Sequence, residues 1–311
     1  MTAYTETPDN IKDFDSFIIS DVEKIKEVFL SSERILFYDA CSFQRHSNLP
    51  DKEMDILAGY FKEHGMSVVI TRCILMELAS DRHRIAEDSI KYLRRMHHIG
   101  ISIVIFDEEY SYEILSECFS TNEMVNAYLT WAVRTVKSPV SPIGTAYKAN
   151  NKAVIDVIEC KNQKQSDLYR RFFMAIRSTK EHGDDLGEEL IAVSVHILSN
   201  LPGLSDGRIC VLTDDKRAAG KIDSAMKRTH LNFRGAKVLI YSTPKLVQHM
   251  YQEGRTLSAS EMTCLISQGT NGNVVVMGTT AFDFDVNAHI SMSCIDLVKK
   301  IMEPNGINIV F

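Results

Sequence analysis

Short apolar runs alternate with amphipathic stretches along most of this chain. Residues 35–40 (ILFYDA), 67–74 (SVVITRCI), 102–107 (SIVIFD), 209–215 (ICVLTDD) and 237–243 (KVLIYST) are compact, rich in β-branched and aromatic residues, and predict strands. Between them lie helical patterns. Ile19, Val22, Ile25 and Phe29 recur at helical spacing in residues 18–30, and residues 53–65 predict a helix stopped at Gly65. LMELAS opens a helix reaching about His97, and an amphipathic stretch to about Ser120 follows the third strand. HGDDLGEELIAVSVHIL (182–198) feeds the fourth strand, and Ser242, Thr243 and Pro244 supply a helix start after the fifth. Apolar strands alternating with helices predict an α/β fold whose five-stranded parallel sheet is covered on both faces.

The spacing between the third and fourth strands exceeds one crossover. Residues 121–181 read as helical, interrupted by the Pro/Gly/Asn-rich SPVSPIGTAYKANN, and predict an inserted helical unit. Near the end, Ser258 and Glu261 form a capping box and GTNGN breaks the chain. Strand-like NVVVMGT and AFDFDVN, the helix SCIDLVKKIM and the strand GINIVF follow as a small α+β module. The expected organisation is an N-terminal helical extension (1–32), an α/β core (33–118 and 182–268), a helical insertion (119–181) and a C-terminal module (269–311).

Composition changes this picture little. The 311 residues are 45% hydrophobic and 24% charged, ordinary for a soluble protein with a sizeable core. No apolar run reaches membrane-spanning length, and the N-terminus is acidic, unlike a secretory signal. The seven cysteines are scattered without a C-x-x-C, and the ten histidines form no H-E-x-x-H, so reduced structural thiols and a cytoplasmic location are expected. With net charge −6, any nucleic-acid binding must use a local patch. The strongest is residues 216–237, where seven cations face one acid; Lys227, Arg228 and Arg234 are its candidate phosphate-binding residues.

The candidate chemistry lies at strand ends. Open parallel sheets bind ligands beyond the carboxyl ends of their strands, where strand order reverses. Right-handed crossovers place strand four beside strand one, so Asp39 and the pair Asp214 and Asp215 face one crevice. Glu77, early in the helix after strand two, stands at the same edge. Asp185, Glu188 and Glu189 cluster where the helix before strand four starts; Asp184 and Asp185 fit compensation of the helix dipole, whereas Glu188 precedes the apolar face led by Ile191 and Ala192. Two unit charges about 4 Å apart repel by roughly 4 kcal/mol at an effective dielectric near 20. Divalent cations with oxygen ligands, Mg²⁺ or Mn²⁺, relieve such repulsion and support phosphodiester hydrolysis.

FYDACSF, ILMELAS, LGEELIAVSV and VLTDDKRAA, in this order on alternating strands and helices, resemble the PIN-domain family over residues 33–118 and 182–268. The resemblance implies a Rossmann-like PIN core and a Mg²⁺- or Mn²⁺-dependent ribonuclease acting on RNA, preferentially single-stranded. Carried over by position, its catalytic and metal-binding acids are Asp39, Glu77, Glu188 and Asp215, with Asp214 as a neighbouring ligand, Asp185 and Glu189 as rivals for the third acid, and Thr213 as a positioning hydroxyl. The alternative is a catalytically silent PIN fold that binds RNA or protein. The insertion and the C-terminal module suit self-association or partner choice.

Other chemistries fit less well. A phosphoacceptor receiver would use Asp107, Thr213 and Lys245 but lacks an acidic pair after strand one. A haloacid-type phosphatase needs an aspartate where Cys41 stands, and Cys41 reads as a core thiol. In FDFDV, Asp283 and Asp285 would share a strand face opposite Phe282 and Phe284, most simply a strand with one wet face.

Overall fold

The computed structural model describes residues 4–230, 235–280 and 283–311, without the side chains of 228–230. Its strands are β1 (Arg34–Tyr38), β2 (Met66–Thr71), β3 (Ile103–Phe106), β4 (Ile209–Leu212), β5 (Leu239–Tyr241), β6 (Asn273–Thr279), β7 (His289–Ser293) and β8 (Asn308–Ile309). The first five form an all-parallel sheet in the order β3-β2-β1-β4-β5. The chain therefore builds away from β1 on one side and resumes on the other, so order reverses between β1 and β4. Every residue of β2, β3 and β4 is buried, because helices cover both faces.

The helices are α1 (Val22–Ser31), α2 (Ala40–Ser47), α3 (Asp51–Glu63), α4 (Arg72–Leu78), α5 (Glu87–Ile99), α6 (Tyr110–Ser116), α7 (Asn122–Val136), α8 (Pro142–Lys148), α9 (Lys152–Ile158), α10 (Leu168–Arg177), α11 (Leu186–Leu198), α12 (Lys216–His230), α13 (Thr243–Gln252), α14 (Ala259–Ser267) and α15 (Cys294–Met302). Of these, α11 joins two cores. Its Ile191, Ala192, Val195 and Leu198 pack with the sheet, while Leu186, Leu190, Val193 and Ile197 pack with α7, α9 and α10. A helix with apolar residues on both faces must be covered on both, and the inserted helices supply the second cover.

Several boundaries differ from expectation for local reasons. Strand one stops at Tyr38 because Asp39 caps α2, and strand two stops at Thr71, whose hydroxyl accepts from the Ile74 amide (3.3 Å) and caps α4. The single helix expected to reach His97 is two, α4 and α5, separated by Arg82 and His83 at φ 54° and 56°. Distant residues hold that break: the Asn10 side chain bonds both the amide and the carbonyl of Ile85 (2.9 and 3.0 Å). Helix α1 begins at Val22, capped by Asp21, because Ile19 instead pairs with the sheet edge beside Val104. The break at 138–151 itself contains α8, begun by Ser141 and Pro142.

After α14, with its Ser258–Glu261 capping box, β6 runs between β7 and β8 in an antiparallel sheet. The expected strand AFDFDVN is not formed where described. The Asp283 and Asp285 carboxylates accept from the amides of Asp285 and Asn287 (3.0 and 2.9 Å), side-chain turns that compete with a ladder. Strand β7 forms beyond them, so Asp283 and Asp285 share no strand face; Phe282 lies outside the described residues. Val276, Leu297, Val298, Ile301 and Ile309 join the core under the parallel sheet. No helix among the described residues is long and apolar enough to cross a membrane.

Candidate functional site

Register brings the first residues together. Tyr38 pairs with Leu212, so Asp39 and Thr213, one step on, stand side by side at the switch point. The Thr213 hydroxyl donates to Asp39 Oδ2 (2.8 Å) and accepts from the Asp215 amide (3.1 Å), holding both acids. Asp39 also accepts from the Ala40 amide (2.9 Å) and the Cys41 thiol (2.8 Å). Burial raises the Asp39 pKa, these hydrogen bonds lower it, and Asp215 adds a repulsive push upward. Asp215 Oδ1 caps α12 through the Arg217 amide (2.6 Å).

Glu188, in the first turn of α11, completes this group. Its Oε2 is buried without a hydrogen bond, and its nearest cation is Lys221 at 3.7 Å. Burial raises its pKa to about 8, with Asp215, Asp185 and Asp39 adding to the shift and Lys221 opposing it. The negative charge of Asp215 thus disfavours ionisation of both Asp39 and Glu188. Glu77 on α4 lies against α11, where Gly187 leaves it room: a β-carbon there would sit 2.6 Å from Glu77 Oε1. Burial raises Glu77 to about 7, while Lys180 opposes and Asp39 and Asp184 add. Lys180, itself buried, pairs with Glu77 at 2.9 Å and with Asp184. Burial disfavours its charge, but Glu77 and Asp184 more than compensate and raise its pKa.

The remaining candidates are placed elsewhere. Asp214 turns away from this trio and receives the Ser42 hydroxyl (3.0 Å), the Thr243 amide (2.7 Å) and the Thr243 hydroxyl (2.8 Å), with Arg45 at 3.5 Å. Because Thr243 donates to Asp214, it must accept from His46 Nε2 (2.9 Å), which leaves His46 Nδ1 to accept from Tyr38 and Tyr38 to accept from Tyr92. Burial lowers His46 to about 4, keeping the chain neutral up to its terminal carboxylate. Glu189 points into the insertion and accepts from the Ile143 amide at the start of α8 (3.2 Å); burial raises its pKa to about 7. Asp185 pairs with Lys221.

The basic stretch divides. Lys227 is exposed and paired with Asp223 on its own helix (2.6 Å); at 1.5 Å per residue it stands about 18 Å along α12 from Asp215. The Arg228 side chain and Arg234 lie outside the described residues. The cations placed near the crevice are Lys180 and Lys221, neither of which sequence spacing singled out. Nor do the rival constellations assemble: Asp107 pairs with Arg72 (2.5 Å), Lys245 donates to the Ile240 carbonyl (2.9 Å), and burial together with Asp39 raises the Cys41 thiol, which disfavours its thiolate.

Among the described residues no three histidine, cysteine, aspartate or glutamate side chains are gathered as a ready-made metal cage. Donor chemistry nevertheless fits a hard divalent ion, since Mg²⁺ commonly binds through one or two carboxylates and keeps its waters. Asp39, Asp215 and the orphaned Glu188 oxygen are the donors that fit; Glu77 already has a cation, and Asp214 has four donors. Comparison of the chain with protein-family models, curated proteins and solved structures finds no match.

Proposed function

We propose that this protein is a Mg²⁺- or Mn²⁺-dependent endoribonuclease of PIN-like character, working at the crevice between the ends of β1 and β4. One observation carries the reading: Asp39 and Asp215 are tied through Thr213, and both act electrostatically on Glu188, whose buried oxygen has no hydrogen bond. Asp39, Asp215 and Glu188 would hold the ion, with Thr213 orienting two of them and Cys41 filling space as a protonated thiol. When bound, such an ion supplies Lewis acidity toward a phosphodiester and neutralises the acids. Glu77 acts through its neighbours, because Lys180 satisfies its charge.

The test is incubation of the purified protein with several single-stranded RNAs, with Mn²⁺, with Mg²⁺ and with EDTA. Metal-dependent cleavage that Asp39→Asn abolishes is the expected result; no cleavage together with no divalent-ion binding contradicts it. A second reading draws on Lys180 and Lys221, which already offset part of the acidic charge. It is a catalytically silent fold that binds RNA or a protein, and absence of cleavage with every metal, with RNA binding retained, would select it.

A further inference from the structure

Beside the crevice lies a cavity of about 350 Å³ with two unlike walls. One belongs to the α/β core: Arg45 and His46 of α2, Asp214 beyond β4, Lys216 at the start of α12, and the first residues of α13. The other comes from the end of α14 and the segment beyond it, chiefly Leu265, Val274, Val276 and Phe311, with Gln268, Thr270 and Asn273 supplying amide and hydroxyl groups. The volume lies in the lower part of the range of small-molecule sites, roughly 300–1,000 Å³, and an apolar wall with a few polar groups is their usual lining.

The charges define the ligand. Asp214 is the only acidic side chain among the described residues that line the cavity, and its oxygens are committed to Ser42, Thr243 and Arg45. Lys216 lines the cavity, is partly buried, and has no ion pair among the described residues. Arg45 lies across the turn after α14, where Gly269 at φ +70° has no side chain to obstruct it: a β-carbon there would be 2.8 Å from Arg45 Nε. Arg45 already faces Asp214, so Lys216 is the lining cation left to receive a negative charge. An anion joined to a flat, partly apolar body with amide-matching edges meets these walls. A nucleotide has that chemistry.

We propose that this cavity is a nucleotide subsite, in which one nucleotide of an RNA chain sets its base against Phe311 and the β6 wall and its phosphate against Lys216 and Arg45. Asp214 lines the cavity and the next residue, Asp215, belongs to the acidic trio, so a chain seated in the subsite has the crevice as its neighbour. The polymer's identity rests on the ribonuclease reading; the subsite does not. The C-terminal segment thereby acquires a role, since it contributes the base-facing wall.

The experiment is calorimetric titration of the full-length protein, in EDTA, with the four 5′-mononucleotides, ribose 5-phosphate, inorganic phosphate and a tetranucleotide RNA. Saturable mononucleotide binding is expected, stronger than for the two baseless phosphates and exceeded by the tetranucleotide. Lys216→Gln should weaken it about tenfold, as loss of a charge-assisted contact does. Phe311→Ala should weaken the nucleotides but leave ribose 5-phosphate unchanged, with circular dichroism confirming the fold. Absence of saturable nucleotide binding, equal affinity for bare phosphate, or indifference to both variants overturns the subsite. A tetranucleotide no tighter than the mononucleotide overturns its assignment to RNA and leaves a free-nucleotide site. Because the titrations contain no divalent ion, they read the subsite independently of cleavage: nucleotide binding with no cleavage in the separate Mn²⁺ assay ends the ribonuclease reading alone, and cleavage in that assay with no nucleotide binding ends the subsite alone.

Discussion

Two regions of this molecule bury carboxylates, and they balance the charge in opposite ways. Behind β3, Arg177 of α10 is almost fully buried and donates to Glu108 (2.6 Å), Glu109 (2.7 Å) and Glu6 (2.9 Å), while Glu108 also accepts the Cys73 amide (2.9 Å). Each acid there has a fixed partner, and the cluster ties the N-terminal segment, the sheet and the insertion together. At the β1–β4 edge, Asp215 pushes the Asp39 pKa upward, Asp39 and Asp215 both push that of Glu188 upward, and Glu188 keeps a buried oxygen with no hydrogen bond. The first arrangement is closed architecture. The second leaves acidic groups without a fixed partner for each, and that difference is what the cation-site proposal rests on.

That contrast can be broken most severely by Asp39→Asn. Cleavage should fall by orders of magnitude, measured as initial rate with Mn²⁺, while far-ultraviolet circular dichroism stays that of the parent. The next largest effect belongs to the closed cluster. Arg177→Met should destabilise by about 3–5 kcal/mol, because it strands buried carboxylates, and denaturant unfolding would read this directly. If Arg177→Met cost nothing, the Arg177 cluster would not be a closed, charge-balanced strut.

A smaller effect of opposite sign is expected at Glu188. Its pKa is raised in the folded state, from 4.5 to about 8. Its contribution is therefore fully present below about pH 4.5 and is lost as pH rises to about 8. Glu77 and Glu189, raised to about 7, act in the same direction. His46 and His196, lowered to about 4 by burial, act oppositely, losing stability as pH falls from 6.5 toward 4. Between pH 6.5 and 8 the histidines are silent, so the metal-free protein should lose stability over that interval. Glu188→Gln should flatten the loss and, in EDTA at pH 8, be more stable by about 1–3 kcal/mol; thermal scans at three pH values test it. This substitution is cleaner than one at Asp39, whose oxygens accept three hydrogen bonds. Glu188 Oε2 has none to lose.

The smallest effect should come from Lys227→Ala, since its partner Asp223 is on the same exposed helix face. RNA affinity and its salt dependence should barely change, whereas Lys216→Gln should reduce both. Filter binding over a salt series separates the two.

What could be read in advance follows from what each feature depends on. The strand order and the meeting of Asp39 with Thr213 follow from crossover handedness and strand length, which are local and general. Glu188 and Glu189 could not be told apart, because adjacent helical residues diverge by about 100°, and only the inserted α8 shows that Glu189 is a cap acceptor. The pairing of Lys180 with Glu77, and of Lys221 with Asp185 and Glu188, joins different elements, so no local spacing announced it. The break at Arg82 and His83 depends on Asn10, some seventy residues away. The turn at Asp283 shows the reverse case: an alternating pattern gave way to side-chain turns visible only as geometry.

The central claim is that the trio at the β1–β4 edge takes a divalent cation. Its most direct test is a calorimetric Mn²⁺ titration near pH 7 in buffers of different ionisation enthalpy. Glu188, with its pKa near 8, is then largely protonated, so saturable binding should release close to one proton per ion. Both the binding and the release should disappear in Asp39→Asn. Absence of saturable binding, or binding that leaves Asp39→Asn unaffected, would contradict the account.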